Sequence, residues 1–361
     1  MTTASSLIPQ ADPGTIDSSE ISVRGAWVRV PALKIAEKTI VMTGKWVKVA
    51  SVQSEEWLET EIENPSSCVE ALLRDTRTGL SADVFTFAQK PPSVACRYAY
   101  PMDPDSIAVA RFHSFNEWWE SLPQETRKNV RRARKRGVQI AVQQFSDELV
   151  HGIAEINNES AIRQGRRFPH FGKSFEEVKK DYSSFLDRSE FICAHHGTEL
   201  IGVLKIVYRG DIASILQLLV KLRHQDKRPA NALLAKAMEI CEKKGISCVT
   251  YGKFNYGNKG EDSLTEFKIR HGFQEVLVPR YYLPLTLKGA IWRRLRLYRG
   301  LLGILPGGII SMGLKVRSSC NDFRGLMSRC SSMLEQPKRN RQMERSNPPA
   351  GSSTNGEPAR R

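Results

Sequence analysis

Between residues 209 and 245 the chain changes its hydrophobic period within a few positions. Asp211 to Leu222 is almost continuously apolar, as in a strand buried on both faces. Arg223 to Pro229 is a short, polar, basic turn. Pro229 then opens a helix whose apolar residues (Ala232, Leu233, Ala237, Ile240, Cys241) recur at helical spacing, and Gly245 stands where a helix stops. This order of strand, basic turn and helix points backbone N–H groups and the positive helix end at an anion in the turn.

The flanking pattern is mixed. Ile21 to Val52 alternates, with turn signals at Gly25 and Thr43-Gly44, and predicts two or three antiparallel strands. A helix is expected at Pro65 to Arg74, with short strands at Val84 to Ala88 and Ile107 to Ala110. Prolines at 91–92 and from Pro101 to Pro104 mark loops. Ser114 to Glu117 is a capping box ahead of Trp118 and Trp119, and Gln124 to Arg136 is a helix stopped by Gly137. Val138 to Val142 reads as a strand, Asp147 to Arg163 as a helix, and Ser174 caps another helix reaching about Leu186. Phe191 to Ala194, Leu200 to Tyr208 and Asp211 to Leu222 form an antiparallel meander. After the main helix come a strand at Ile246 to Tyr251, a Gly-rich loop, a capped helix from Ser263 to His271, and strands at Val276 to Val278 and Tyr281 to Leu285. The expected fold class is α/β, a mixed and mostly antiparallel central sheet flanked by helices.

Charge divides the chain. Lys and Arg minus Asp and Glu give −5 for residues 1–122, +9 for 123–286 and +11 for 287–361. The basic excess calls for an anionic partner in the last two regions. Residues 1–20 and 336–361 are polar and expected to be disordered. The first third, 21–122, is an α/β region in which nothing reads as chemistry. Residues 123–286 form the expected principal domain and 287–335 a basic amphipathic C-terminal region. Whether 21–122 is a worn copy of the second half stays open in the sequence.

Seven cysteines show no metal-ligand spacing, and Cys193, Cys241 and Cys248 sit in apolar stretches as buried thiols. With no secretory leader visible, a cytoplasmic, metal-free protein is expected. No apolar run approaches the roughly 18 residues of a spanning helix. Leu287 to Val316 offers peripheral contact with an anionic membrane, or alternatively a helix packed on the domain with its Arg side outward.

Three stretches carry a resemblance: Leu122 to Val138 (LPQETRKNVRRARKRGV), Lys227 to Gly245 (KRPANALLAKAMEICEKKG) and Ser263 to Phe273 (SLTEFKIRHGF). Together they resemble the GNAT-type acyltransferase superfamily, in its FemAB-like and BioF2-like branch, over roughly Leu122 to Leu285. The resemblance implies transfer of an acyl or aminoacyl group from acyl-CoA or aminoacyl-tRNA to an amine, possibly on a cell-envelope or polysaccharide precursor. It implies a donor site at Val220, Arg223, Gln225, Lys227, Arg228, Ala230 and Asn231. Gln225 and Ala230 match the family pattern; Arg228 stands where Gly is expected, and Pro229 removes a backbone donor. The resemblance also singles out Lys268 for the developing oxyanion, and Tyr251 or Tyr256 for the leaving group.

Acceptor-side candidates come from the residues themselves. Seven of the ten residues from Arg127 to Arg136 are basic, and Arg131 and Arg134 either line an acceptor groove or form a solvated face. The loop Arg163 to Gly172, with Arg166 and Arg167, is rich in aromatic and basic residues, as binding loops are, though packing alone would also explain it. Lys205 and Gln217, on neighbouring strands, are candidates to meet in the groove, although alternation does not say which face they share. A non-catalytic RNA- or membrane-binding protein on the same scaffold is the alternative.

Overall fold

The computed structural model describes residues 16–299, apart from 24, 36, 56–60, 75–80, 92–93, 164 and 256–262. Most of the expected disorder at 1–20, all of that at 336–361, the segment 300–316 and Tyr256 lie outside the described residues.

The first region supplies six strands and two helices. They are β1 (Ile16–Val23), β2 (Ala26–Ile35), β3 (Lys38–Thr43), β4 (Val49–Val52), α1 (Pro65–Arg74), β5 (Val84–Ala88), β6 (Met102–Arg111) and α2 (Phe115–Ser121). Next come α3 (Gln124–Lys135), β7 (Val138–Gln143), α4 (Asp147–Asn158), the small pair β8 (Ile162–Arg163) and β9 (Arg166–Arg167), and α5 (Phe175–Tyr182). The meander is β10 (Ser189–His196), β11 (Glu199–Arg209) and β12 (Ile212–Val220). Then follow α6 (Pro229–Lys243), β13 (Cys248–Lys253), α7 (Ser263–Arg270), β14 (Gln274–Pro284) and α8 (Leu287–Arg294).

Twelve strands make one sheet, ordered β1-β2-β3-β4-β5-β14-β6-β13-β12-β11-β10-β7. The order is palindromic. On one side the meander β2-β3-β4 passes through α1 to β5, parallel to β4; on the other β10-β11-β12 passes through α6 to β13, parallel to β12. Each parallel pair holds three rungs: Val49 to Ser51 with Val84 to Thr86, and Ile212 to Ser214 with Cys248 to Thr250. At the centre the strands are exchanged: β6, from the first region, lies beside β13, and β14 lies beside β5. The question left open in the sequence thus has a topological answer: residues 16–111 repeat the strand order of the second half. Worn side chains hide such a copy, because topology needs only backbone pairing.

Several elements differ from expectation. β14 is one strand, not two, and β6 runs through Pro104. Pro104 and Pro279 face each other across the β6–β14 pair. The Pro279 carbonyl accepts from Gln89 N just past the end of β5, and the bond that an N–H at 279 would return to Gln89 is not made. β1 opens at Ile16, inside the stretch expected to be unstructured. α4 ends at Asn158, and the basic turn after β12 is a 3-10 helix, Leu222–Lys227.

The two faces of the sheet carry different layers. Ile192, Ala194, Leu204, Ile206, Ala213 and Ile215 pack with α6, α3 and α2. Their strand neighbours Phe191, Cys193 and Val203 pack with α4 and α5 on the opposite face. Cys193, Cys241 and Cys248 are buried, and burial pushes the first two thiols up to about 12. Pro229 sits at the first helical position of α6 and Gly245 takes φ +70° just past its end, both as the pattern requires.

His271, only 1% exposed, locks α7 to α6: its Nε2 is 3.0 Å from Asn231 Nδ2 and its Nδ1 2.7 Å from the Phe267 carbonyl. Burial holds its pKa down at about 4. The folded state therefore binds this proton less readily than the unfolded chain, and stability present above pH 6.5 is lost as pH falls toward 4. The loss amounts to about 3 kcal/mol, at about 1.4 kcal/mol per unit. Urea titrations across that window should show the acid slope, and His271→Gln should flatten it.

Candidate functional site

Past Ser214 and Thr250, β12 and β13 part. A cavity of about 450 Å3 opens on the α5 face of the sheet, walled by Ser214 to Leu216 on one strand and Thr250 to Lys253 on the other. Ser214 Oγ and Thr250 Oγ1, 2.8 Å apart, close its floor at the last rung. Opposite Lys205 and Ile206, β12 carries one extra residue, Leu216: Lys205 pairs with Gln217 and Ile206 with Ile215. Such a bulge takes its residue out of the regular ladder and re-aims its neighbours. It returns Gln217 to the face that Ser214 occupies.

The cavity does not end there. Glu55, Thr86, Leu216 and Arg280 also line a second chamber, which continues past Lys205 and Gln217 to Trp27 and Glu20. A third lies two residues back along the same face of β12, at Ile212, and is walled by Lys90, Arg97, Arg188 and Arg209 with Glu61 and Asp211. It is separate from the first two, which share Glu55, Thr86, Leu216 and Arg280 as walls and make one trough across the sheet. At its centre Arg280 is held by Glu55 (2.8 Å) and Asp105 (2.5 Å), whose charges keep the guanidinium protonated against burial. Glu55, Thr86 and Asp105 all come from the first third of the chain, where no chemistry was expected. No local motif marks them; the exchange of β6 and β14 brings them in.

Lys268 is fully buried behind this wall. Its Nζ donates to the Lys253 carbonyl (2.5 Å) and lies 4.9 Å from the ring centre of Tyr251. Tyr251 itself lines the first cavity, so the structure brings these two candidates together, with the tyrosine in front.

At the donor turn the basic residues divide. Glu159 accepts the N–H groups of Leu222 and Arg223, the latter at 2.9 Å. Glu199 gathers Lys221 (2.7 Å), His224 (3.1 Å) and the Arg223 guanidinium, and these partners, Lys221 foremost, hold its carboxyl down at about 2. The Arg223 charge, expected to meet a donor, is thus engaged from within, and Asn231 is turned to His271. Val220, half-buried, gives its carbonyl to Arg163 (2.9 Å). Gln225 and Arg228 remain exposed; Lys227 and Ala230 are half-buried beside the start of α6. Arg228 has φ +61° and ψ +39°, the left-handed conformation a glycine takes freely. Arg228, where the resemblance expected glycine, thus adopts a backbone form that glycine would take without strain.

The acceptor candidates are split between faces. Arg131 and Arg134 are exposed on a groove between α2, α3 and α6, with Arg131 lying 5.6 Å over Trp119. That is the face opposite Lys205 and Gln217. Lys205, 1% exposed, lines the trough, and its ammonium donates to the carbonyls of Tyr182 (2.7 Å) and Ser184 (2.5 Å) and to Ser184 Oγ (3.2 Å). Burial pulls its pKa to about 8, and the three acceptors hold it as a strut between β11 and the end of α5. Gln217 is directly opposite; its Oε1 is buried without a partner among the described residues. Arg167 is exposed, and the Arg166 side chain lies outside the described residues. Within the same loop Arg163 stacks 4.5 Å over buried Phe168, so the loop is packed at its base, while His170 reaches the trough.

No protein-family model matches the sequence, and no curated protein matches it. Solved structures similar to this chain include FemX, at 10% identity and a TM-score of 0.48 over 78% of this chain and 90% of that one. L-PGS from Bacillus licheniformis is similar at 13% identity and 0.48, over 74% and 86%. A tandem GNAT protein from the clavulanic acid pathway is similar at 10% and 0.41, over 72% and 83%. The fold itself is α/β, a large, mixed and mostly antiparallel sheet flanked by helices.

Proposed function

We propose that this protein transfers an acyl or aminoacyl group from an activated donor to an amine. The observation that carries the reading is the parting of β12 and β13 over a walled cavity, with the start of α6 at one end of β12 and the bulge at Leu216. The phosphate end of acyl-CoA or aminoacyl-tRNA lies against Gln225, Lys227, Arg228 and the α6 N-terminus, where backbone N–H groups and charge favour anions. Its reactive carbonyl enters between the parted strands. The acceptor, an amine-bearing cell-envelope or polysaccharide precursor, occupies the trough with its amine at Gln217 Oε1.

The amine nitrogen attacks the donor carbonyl carbon, a C–N bond forms, and the C–S or C–O bond to the carrier breaks. The proton lost by nitrogen is balanced by the one gained by the departing sulfur or oxygen. Tyr251 is the proposed proton donor to that atom, and Lys268 is the residue that positions Tyr251 and Lys253.

Incubation with labelled acyl-CoA or charged tRNA and a broad amine panel tests the reading; steeply salt-dependent RNA binding without turnover on either donor would replace it with the binding-module alternative. Tyr251→Phe should lower kcat by about 100-fold or more with KM little changed. Arg228→Gly should stabilise the fold by about 1 kcal/mol, by removing a left-handed side-chain conformation, yet raise the donor KM. A melting curve and a donor titration on the same variant read both effects.

A further inference from the structure

α8 presents an apolar face that the rest of the described chain does not cover. Leu287, Ile291 and Leu295 are 79%, 52% and 55% exposed, and at spacing i, i+4, i+8 they form one stripe. Lys288 and Arg294 flank this stripe on either side, and Arg293 and Arg296 follow.

The stripe cannot simply roll inward, because the opposite face of α8 is anchored. The Thr286 hydroxyl accepts Gly289 N–H (3.1 Å) and donates to Asp83 Oδ1 (2.8 Å), and Lys288 Nζ lies 3.3 Å from Asp83 Oδ2. Gly289 is pressed so closely on the Asp83 carbonyl that no Cβ fits between them. Trp292 packs on Tyr298, which stacks at 4.5 Å on Tyr282, a wall residue of the first cavity.

We propose that this face docks on the surface of an anionic lipid bilayer. Lys288 is held by Asp83, but Arg293, Arg294, Arg296 and Arg299 follow it, and residues 287–299 contain not a single carboxylate. A surface that combines aliphatic side chains with unopposed cations complements one that offers both hydrocarbon and negative charge, and a bilayer of acidic phospholipid offers both. A helix so built lies in the interface plane with its apolar side inward. Docking would hold the trough beside the bilayer, joined to it through Tyr298 and Tyr282. The inference does not depend on acyl transfer, since binding is measured without turnover.

The full-length protein is to be sedimented with vesicles of phosphatidylcholine, with and without phosphatidylglycerol. It should pellet with the phosphatidylglycerol vesicles and stay in solution with pure phosphatidylcholine. Arg293→Gln and Arg294→Gln should each weaken partitioning about fivefold, and added salt should weaken it further. The triple variant Leu287→Ser, Ile291→Ser, Leu295→Ser should lose binding with an unchanged melting curve, because these positions are exposed. Wild-type protein that remains in solution, or a triple variant that pellets equally well, overturns the proposal. So does self-association abolished by the triple variant without vesicle binding, which would give the stripe to a second copy of the chain.

Discussion

Parallel strands that separate after three rungs leave main-chain groups on both sides of a gap, and this gap is what the rest of the molecule is arranged around. β12 and β13 cannot close on each other past Ser214 and Thr250, because each is committed elsewhere. β11 holds β12 along its length, bulge included, and β6 holds β13 up to Lys253. Since β6 comes from the first region, the opening depends on the exchange of central strands. The shared sheet turns two splayed pairs into one continuous trough.

The trough is lined with charge, and in its buried part nearly every charge has a partner. Arg280 faces two carboxylates, and Lys205 has three oxygen acceptors. Leaving any of these ions unpaired in so dry a setting would cost several kcal/mol per ion. Their geometry is therefore tightly determined, and they hold the walls in place. The polar groups left over for a ligand are of another kind: the orphan Gln217 oxygen and the exposed Gln225 and Arg228.

Where the sequence misled about elements, proline was the reason. Prolines read as loop signals, yet Pro104 and Pro279 sit opposite each other in the two central strands. Basic residues singled out in the sequence also have partners within the fold: Arg223 pairs with Glu199, and Lys205, which lines the trough beside Gln217, is held by main-chain oxygens. Glu55, Thr86 and Asp105 carried no signal because their role exists only across the exchanged strands.

Local order was written in the chain itself. The N-cap at Ser114, the capping box at Ser174, Pro229 at the start of α6, Gly245 at its end, and the period of the meander depend on interactions within a few residues. That Arg228 stands at a position where glycine is expected, and that Lys268 and Tyr251 are candidates at all, came only by resemblance. Which face Lys205 and Gln217 share, which basic residues stay available, and that the first region completes the trough were decided by tertiary structure. Those outcomes rest on strand register and on long-range pairing of buried charge, and neither leaves a periodic trace along the sequence.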